Sequence, residues 1–123
     1  MTVIPLSALP NQEFWIILDG QHCVINLYQR SGRMYMDLST PESIVQKGAL
    51  VMPRTPIITA YSNGFKGQLY IRDTARPPQF QEAPVYDGLG SRFELCYLTD
   101  YEVKEIAKYK LQKAFSVDTG NTK

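Results

Sequence analysis

Few side chains in this 123-residue chain have the types and spacing for chemistry. His22 is the only histidine, so no second imidazole can share a metal or a proton with it, and it reads as a solvated strand residue. Cys23 beside it makes no nucleophile–base dyad, because adjacent strand residues point to opposite faces. Asp37 and Glu94 fall in strand-like runs, with nothing bracketing them as an acid/base couple. Gly88-Leu89-Gly90-Ser91 faintly resembles a phosphate loop, but it lacks the lysine and follows a proline-rich stretch instead of a strand. The chain reads as not an enzyme: no catalytic residue, no cofactor and no metal site.

The elements that carry these residues are easier to read. Asn11 to Leu38 alternates apolar and polar residues on either side of two turn dipeptides, Asp19-Gly20 and Ser31-Gly32, the strongest short-range hairpin signal. With two-residue loops, Phe14 faces Ile25, Ile25 faces Leu38, Ile16 faces Cys23 and Leu27 faces Met36. One face of this three-stranded meander is then continuously apolar, which a one-residue slip would destroy. The other carries Trp15, Val24, Tyr28 and Tyr35 beside Glu13, Asn26 and Asp37, a mixture suited to being covered by another layer or another chain.

The totals agree with one ordinary domain. Lysine plus arginine number 13 and aspartate plus glutamate 12, a net charge of +1, where a dedicated nucleic-acid or membrane-surface binder would show a basic excess. The 8 tyrosines, 8 prolines and 8 glycines suit strands, turns and protein contacts. Cys23 and Cys96 read as two buried thiols in a reducing compartment, and nothing demands a disulfide. No signal peptide opens the chain and no run approaches the length of a membrane span, so it reads as a soluble protein made in a cytoplasm, without membrane insertion.

Residues 1–12 read as an extended arm punctuated by Pro5 and Pro10, and 13–98 as the β domain. After the break at Pro41-Glu42-Ser43, a short extended piece from Ile44 ends at Gly48, and Ala49 to Met52 is a separate strand candidate. Pro56 restarts the chain into Ile57–Tyr61, Ser62-Asn63-Gly64 turns it, and Gly67 to Asp73 is a strand. Thr74 to Ser91 (loop 74–91) holds too many prolines and glycines for a regular element, yet it carries Phe80, Val85, Tyr86 and Leu89; loops this long are functional or disordered. Residues 92–98 are the last strand. An amphipathic helix over 101–115 follows, with Asp100 as its cap and Val103, Ile106, Ala107, Lys110, Leu111 and Ala114 at helical spacing; the domain boundaries are 99–115 for this element and 116–123 for a flexible tail.

Two details bear on partners. Arg30 and Arg33 flank the Ser31-Gly32 turn and oppose each other, an unfavourable like-charge pair; they either splay into water or meet carboxylates on a partner. Tyr28, Tyr35 and Tyr70 with Arg30, Arg33 and Arg72 could also stack single-stranded bases, so a small nucleic-acid-binding barrel is the alternative, against which stand the neutral charge and the acidic Glu13 and Asp37. An accessory subunit of a cytoplasmic enzyme is a third reading.

Asn11-Gln12 with Phe14, Leu18-Asp19-Gly20-Gln21, Tyr28-Gln29-Arg30 and Tyr35-Met36-Asp37-Leu38 resemble the baseplate plug proteins of contractile-tailed bacteriophages. Leu50-Val51 before Pro53-Arg54-Thr55-Pro56, the run Ala83 to Gly90, and Phe93 to Leu98 extend the resemblance over about Ile4 to Leu98. Two features depart from it: Thr40 to Lys47 lacks a glycine-rich turn, and the 101–115 segment lies beyond the match. The resemblance implies an all-β structural virion protein of the central plug/hub region, assembled in the host cytoplasm. It would contact other baseplate, hub and tail-tube proteins, and copies of itself in a symmetric ring, with no small-molecule substrate. The fold expected is all-β and mainly antiparallel, a small barrel or sandwich with an appended C-terminal helix. Contacts are expected from Trp15, Tyr28, Arg30, Arg33 and Tyr35, from Phe80, Tyr86 and Leu89 in the loop, and from Leu111 and Phe115 in the helix. Trp15 also fits a second-layer core position, since its strand is rich on both faces.

Overall fold

A computed structural model describes residues 1–59 and 64–109. Among the described residues, seven strands form two antiparallel sheets that enclose one core. The first sheet has the order β2-β3-β4-β5, from β2 (Asn11–Leu18), β3 (Gln21–Arg30), β4 (Arg33–Ser39) and β5 (Ile44–Leu50). The second has the order β1-β7-β6, from β1 (Thr2–Ile4), β6 (Gln68–Asp73) and β7 (Phe93–Leu98). The sheets do not close on themselves, so of the two architectures expected this is the sandwich.

The meander has the register that alternation predicts. Phe14 pairs with Ile25, Ile16 with Cys23, Ile25 with Leu38 and Leu27 with Met36. Both turn dipeptides hold positive φ at both positions, Asp19 at 54° and Gly20 at 76°, Ser31 at 52° and Gly32 at 78°. These are type I′ turns, whose twist matches that of the flanking strands. The inward residues Cys23, Ile25, Leu27, Met36 and Leu38 are buried. They meet Leu69, Ile71, Phe93, Leu95 and Tyr97 of the second sheet in a single cluster. Tyr97 lies edge-on to Phe65, with ring centroids 6.1 Å apart, and its hydroxyl donates to the Lys66 carbonyl at 2.8 Å. Burial pushes its pKa up to about 12.

Several expectations need correction. The extended piece from Ile44 and the candidate strand from Ala49 are one strand, β5, interrupted by a bulge. Met36 pairs with Ala49 and Leu38 with Gln46, so Lys47 and Gly48 together oppose Asp37. Gly48 takes φ 64° there, and its N–H donates to Asp37 Oδ1 at 2.7 Å. A second register shift, between Leu38 and Ser39, offsets this one, so Val45 and Ala49 both point into the core while Ile44 and Leu50 both point out.

Ile57–Thr59 forms no strand because glutamine side chains take its backbone groups. The Ile58 N–H donates to Gln68 Oε1 (2.7 Å) and Gln68 Nε2 donates to the Ile58 carbonyl (2.8 Å). Gln46 Oε1 accepts from the Thr59 N–H at 2.7 Å. The turn expected at 62–64 has Ser62 and Asn63 outside the described residues.

The helix (α1, described over 100–109) is capped by Thr99 and not by Asp100, which is its first residue. Thr99 Oγ1 accepts from the Glu102 N–H at 3.2 Å, and Glu102 Oε1 accepts from the Thr99 N–H at 2.9 Å, a reciprocal capping box. Glu102 also pairs with the Met1 amino group, which ties the start of α1 to β1. Val103 is half-buried and Ile106 is 41% exposed, so the described part of the apolar stripe is only partly covered. Leu111, Phe115 and the rest of the expected 101–115 helix lie outside the described residues, as does the 116–123 tail.

Candidate partner-binding surface

The outer face of the four-stranded sheet follows from the register. Every second residue of β2, β3 and β4 points away from the core. Asn11, Tyr28, Tyr35 and Leu50 form one row across the strands, and Trp15, Val24, Ser39 and Ile44 another. Between them lies the polar band of Glu13, Asn26 and Asp37. Trp15 is 76% exposed, Ile17 60% and Ile44 58%. Trp15 is therefore not a second-layer core residue here; the apolar end of this face stands bare.

The other end is built around the β3–β4 hairpin tip. Tyr28 and Tyr35 pair across the strands and stack, with centroids 6.0 Å apart and planes inclined by 25°. The Arg30 guanidinium lies 5.6 Å from the centroid of the Tyr28 ring, within cation–π range. Arg30 pairs directly with Arg33, and neither forms an ion pair among the described residues. The Tyr28 hydroxyl donates to Asp37 Oδ1 at 3.1 Å. Its pKa is raised by desolvation first and by that bond to Asp37 second. Beside this end opens a shallow hollow of about 590 Å³, lined among others by Asn26, Tyr28, Arg30, Asp37 and Lys47. Asn26 Oδ1 is buried there without a partner among the described residues.

Loop 74–91 is ordered by a charged knot at its base. The buried Asp73 carboxylate accepts two bonds from Arg92, both at 2.8 Å, and one each from the Ala75 and Glu82 N–H groups at 3.0 and 3.1 Å. Arg92 also reaches Glu82 at 2.6 Å. The Arg92 guanidinium holds the Asp73 carboxyl well below the usual carboxylate range, against the opposing effect of desolvation. Gln81 closes the loop, donating to the Asp73 and Arg76 carbonyls and accepting from the Asp73 N–H. Such a tether offsets the ordering entropy of a long loop. Two single 3₁₀ turns, Pro78–Phe80 and Tyr86–Gly88, interrupt it.

These turns sort the expected loop contacts. Phe80 is 65% exposed and Tyr86 38%. The Tyr86 N–H donates to Gln29 Oε1 at 3.0 Å, which holds that turn against β3 next to Arg30. Leu89, expected at a partner contact, is only 3% exposed and belongs to the core. The turn ending at Gly88 aims its side chain inward.

Tyr28, Arg30, Arg33 and Tyr35 thus converge on one tip, with Tyr86 adjacent, while Trp15 occupies the far end of the same face. Ile17, Ile44 and Leu50 were not expected in it. Ile17 shares the parity of Trp15 and could have been read from alternation; Ile44 and Leu50 share one parity on β5 and join the face by pairing with Ser39 and Tyr35. Tyr70 and Arg72 belong to the other sheet, and Arg72 is paired with Glu94 at 2.6 Å. They do not extend the aromatic tip into a base-stacking track.

His22 is exposed. Cys23 and Cys96 are buried free thiols whose pKa values burial raises. Among the described residues no cluster of His, Cys, Asp or Glu could hold a metal, and no helix is long and apolar enough to cross a membrane.

A small sandwich whose most developed surface is an aromatic, arginine-edged sheet face has the build of a protein-contact subunit. The model of the family described as cyanophage baseplate Pam3 plug gp18 matches residues 1–100. The chain belongs to this baseplate plug family. Membership gives it a structural role in the phage tail baseplate, in contact with other baseplate proteins, and points away from a catalytic one. No curated protein matches the chain.

Proposed function

We propose that the chain is a plug-region subunit at the centre of a contractile tail baseplate. It binds hub and tail-tube proteins through the outer face of its four-stranded sheet, during tail assembly and genome delivery. The observation that carries this reading is the bare aromatic face in a chain of the plug family. Trp15 is 76% exposed, and a side chain of that size gains most when it is buried at the centre of an interface.

Trp15, Tyr28 and Tyr35 supply the area, and Arg30 and Arg33 supply charge for acidic side chains on the neighbour. Phe80 and Tyr86 of the loop form a second contact, and Leu111 and Phe115 a third. Copies of the chain surround the tail axis in a ring assembled in the host cytoplasm. The single-strand-binding alternative has less support, because Tyr70 and Arg72 lie on the opposite sheet and the net charge is only +1.

Peptide mass spectrometry on purified contractile tails, normalised to a tube subunit, tests the placement. A small, fixed copy number per tail is expected. Absence of the chain from clean tails would end this reading.

A further inference from the structure

The four sheet edges of this sandwich are not alike. β1 is only three residues long. The outer side of β6 is covered: Pro53 bridges Ile71, and the Ile57 N–H donates to the Leu69 carbonyl at 3.0 Å. β5 is broken by its bulge and overlaid by Thr59 through Gln46. Short, covered and bulged edges are the ways in which proteins prevent strand addition. β2 has none of these protections. It runs for eight residues, NQEFWIIL, without proline, glycine or lysine.

The backbone groups that β2 leaves free can be named. The Gln29 N–H donates to the Pro10 carbonyl at 2.8 Å, so residues 10 and 29 are a hydrogen-bonded pair of the antiparallel ladder. Such pairs alternate. Gln12, Phe14, Ile16 and Leu18 therefore bond to β3, and Asn11, Glu13, Trp15 and Ile17 direct their N–H and C=O groups outward. None of these eight outward groups has a partner among the described residues.

Side chains along the edge say what kind of strand would fit. Phe14 and Ile16 pack on the core yet remain partly exposed, so the flank of the core is open beside β2. On the outer side Trp15 and Ile17 are bare, and Glu13 is exposed without an ion pair among the described residues. We infer that β2 takes up an extended strand from a neighbouring baseplate protein. That strand has apolar residues at alternate positions to cover Phe14 and Ile16, and a basic residue opposite Glu13. The inference rests on the plug reading for its partner. Main-chain bonds would supply affinity, and the Glu13 and Trp15 positions would supply selectivity.

Glu13→Pro tests it, because proline removes one outward N–H and blocks pairing on that side while leaving every β2–β3 bond in place. Away from β2 the variant should keep the wild-type amide signals, and it should enter tails about tenfold less well or worse. Glu13→Gln, which removes only the charge, should lose less. As an independent readout, the Glu13, Trp15 and Ile17 amides should exchange rapidly with deuterium in the free chain and slowly in purified tails.

Wild-type entry of Glu13→Pro, or equally fast exchange in tails, overturns strand pairing alone. A free chain that dimerises through β2, and no longer does so as Glu13→Pro, overturns it in favour of a second copy. Absence of the wild-type chain from tails would remove the baseplate reading itself, and this inference with it.

Discussion

Charge reversal at the hairpin tip, Arg30→Glu with Arg33→Glu, should weaken docking into the baseplate on the order of a hundredfold while leaving the fold intact. The two residues are direct cross-strand partners, so the double variant exchanges one like-charged pair for another and keeps the local repulsion roughly equal. The internal loss is the Arg30–Tyr28 contact at 5.6 Å, worth about 0.5–1 kcal/mol at an exposed site. Thermal unfolding should therefore move only slightly. Docking changes more, because arginines are over-represented among the residues that dominate interface energies, and glutamates would repel the acidic side chains they are expected to meet. Arg30→Ala with Arg33→Ala should fall between wild type and reversal, which separates lost attraction from added repulsion. Competition of the double variant against wild type during tail assembly, read by peptide mass spectrometry, measures the effect. Equal incorporation would mean that the two arginines simply point into water.

Gly67→Ala should be severely destabilising for the addition of a single methyl group. Gly67 takes φ 92°, a conformation that costs an L-residue about 1–2 kcal/mol. A Cβ there would also fall 2.5 Å from the Leu98 carbonyl oxygen and 2.6 Å from Tyr97 Cζ. Leu98 is paired with Gln68 in the β6–β7 ladder, and Tyr97 is buried with its hydroxyl bonded to Lys66. Neither can yield without breaking something, and overpacking of this kind costs about 1–3 kcal/mol more. The sum, about 3 kcal/mol, is a large part of the total stability of a domain and corresponds to a fall of about 10 °C in Tm. Gly32→Ala is the control: φ is 78° but the space around it is open, so only the backbone cost applies. Equal midpoints for the two variants would show that Gly67 is not crowded.

What was legible in the residues, and what was not, divides along physical lines. The β2–β3–β4 register was readable because Asp19-Gly20 and Ser31-Gly32 specify type I′ turns, and a fixed turn leaves alternation only one solution. The cap was written in Thr99-Asp100-Tyr101-Glu102, a capping-box spacing that an acidic residue one place further on obscured. β5 was misread as two pieces because the bulge at Lys47-Gly48 depends on Asp37 of the neighbouring strand to accept the freed N–H. Pro56 restarts the chain into Ile57–Thr59 as expected, but the backbone there is claimed by the Gln46 and Gln68 side chains. Tertiary hydrogen bonds of this kind leave no periodic trace.

The candidate surface shows the same division. Trp15, Tyr28 and Tyr35 were placed on the outer face by parity alone, and Arg30 with Arg33 by the turn. Leu89 was misplaced because its direction is set by a 3₁₀ turn inside a loop without periodicity. The bare edge of β2 was invisible for a different reason: whether a strand lies at an edge depends on which strands fail to pair with it, and that is a property of the whole fold.

The most direct measurement is oxidative footprinting of the chain, free and within purified tails, with Trp15, Tyr28 and Tyr35 as reporters. All three are aromatic, and Trp15 is 76% exposed in the free chain. Trp15 and the tyrosine pair should lose most of their reactivity in tails, while Met1, 58% exposed and next to β1 of the other sheet, changes less. Undiminished oxidation of Trp15, Tyr28 and Tyr35 in tails that contain the chain would contradict it, and would move the docking surface elsewhere on the sandwich.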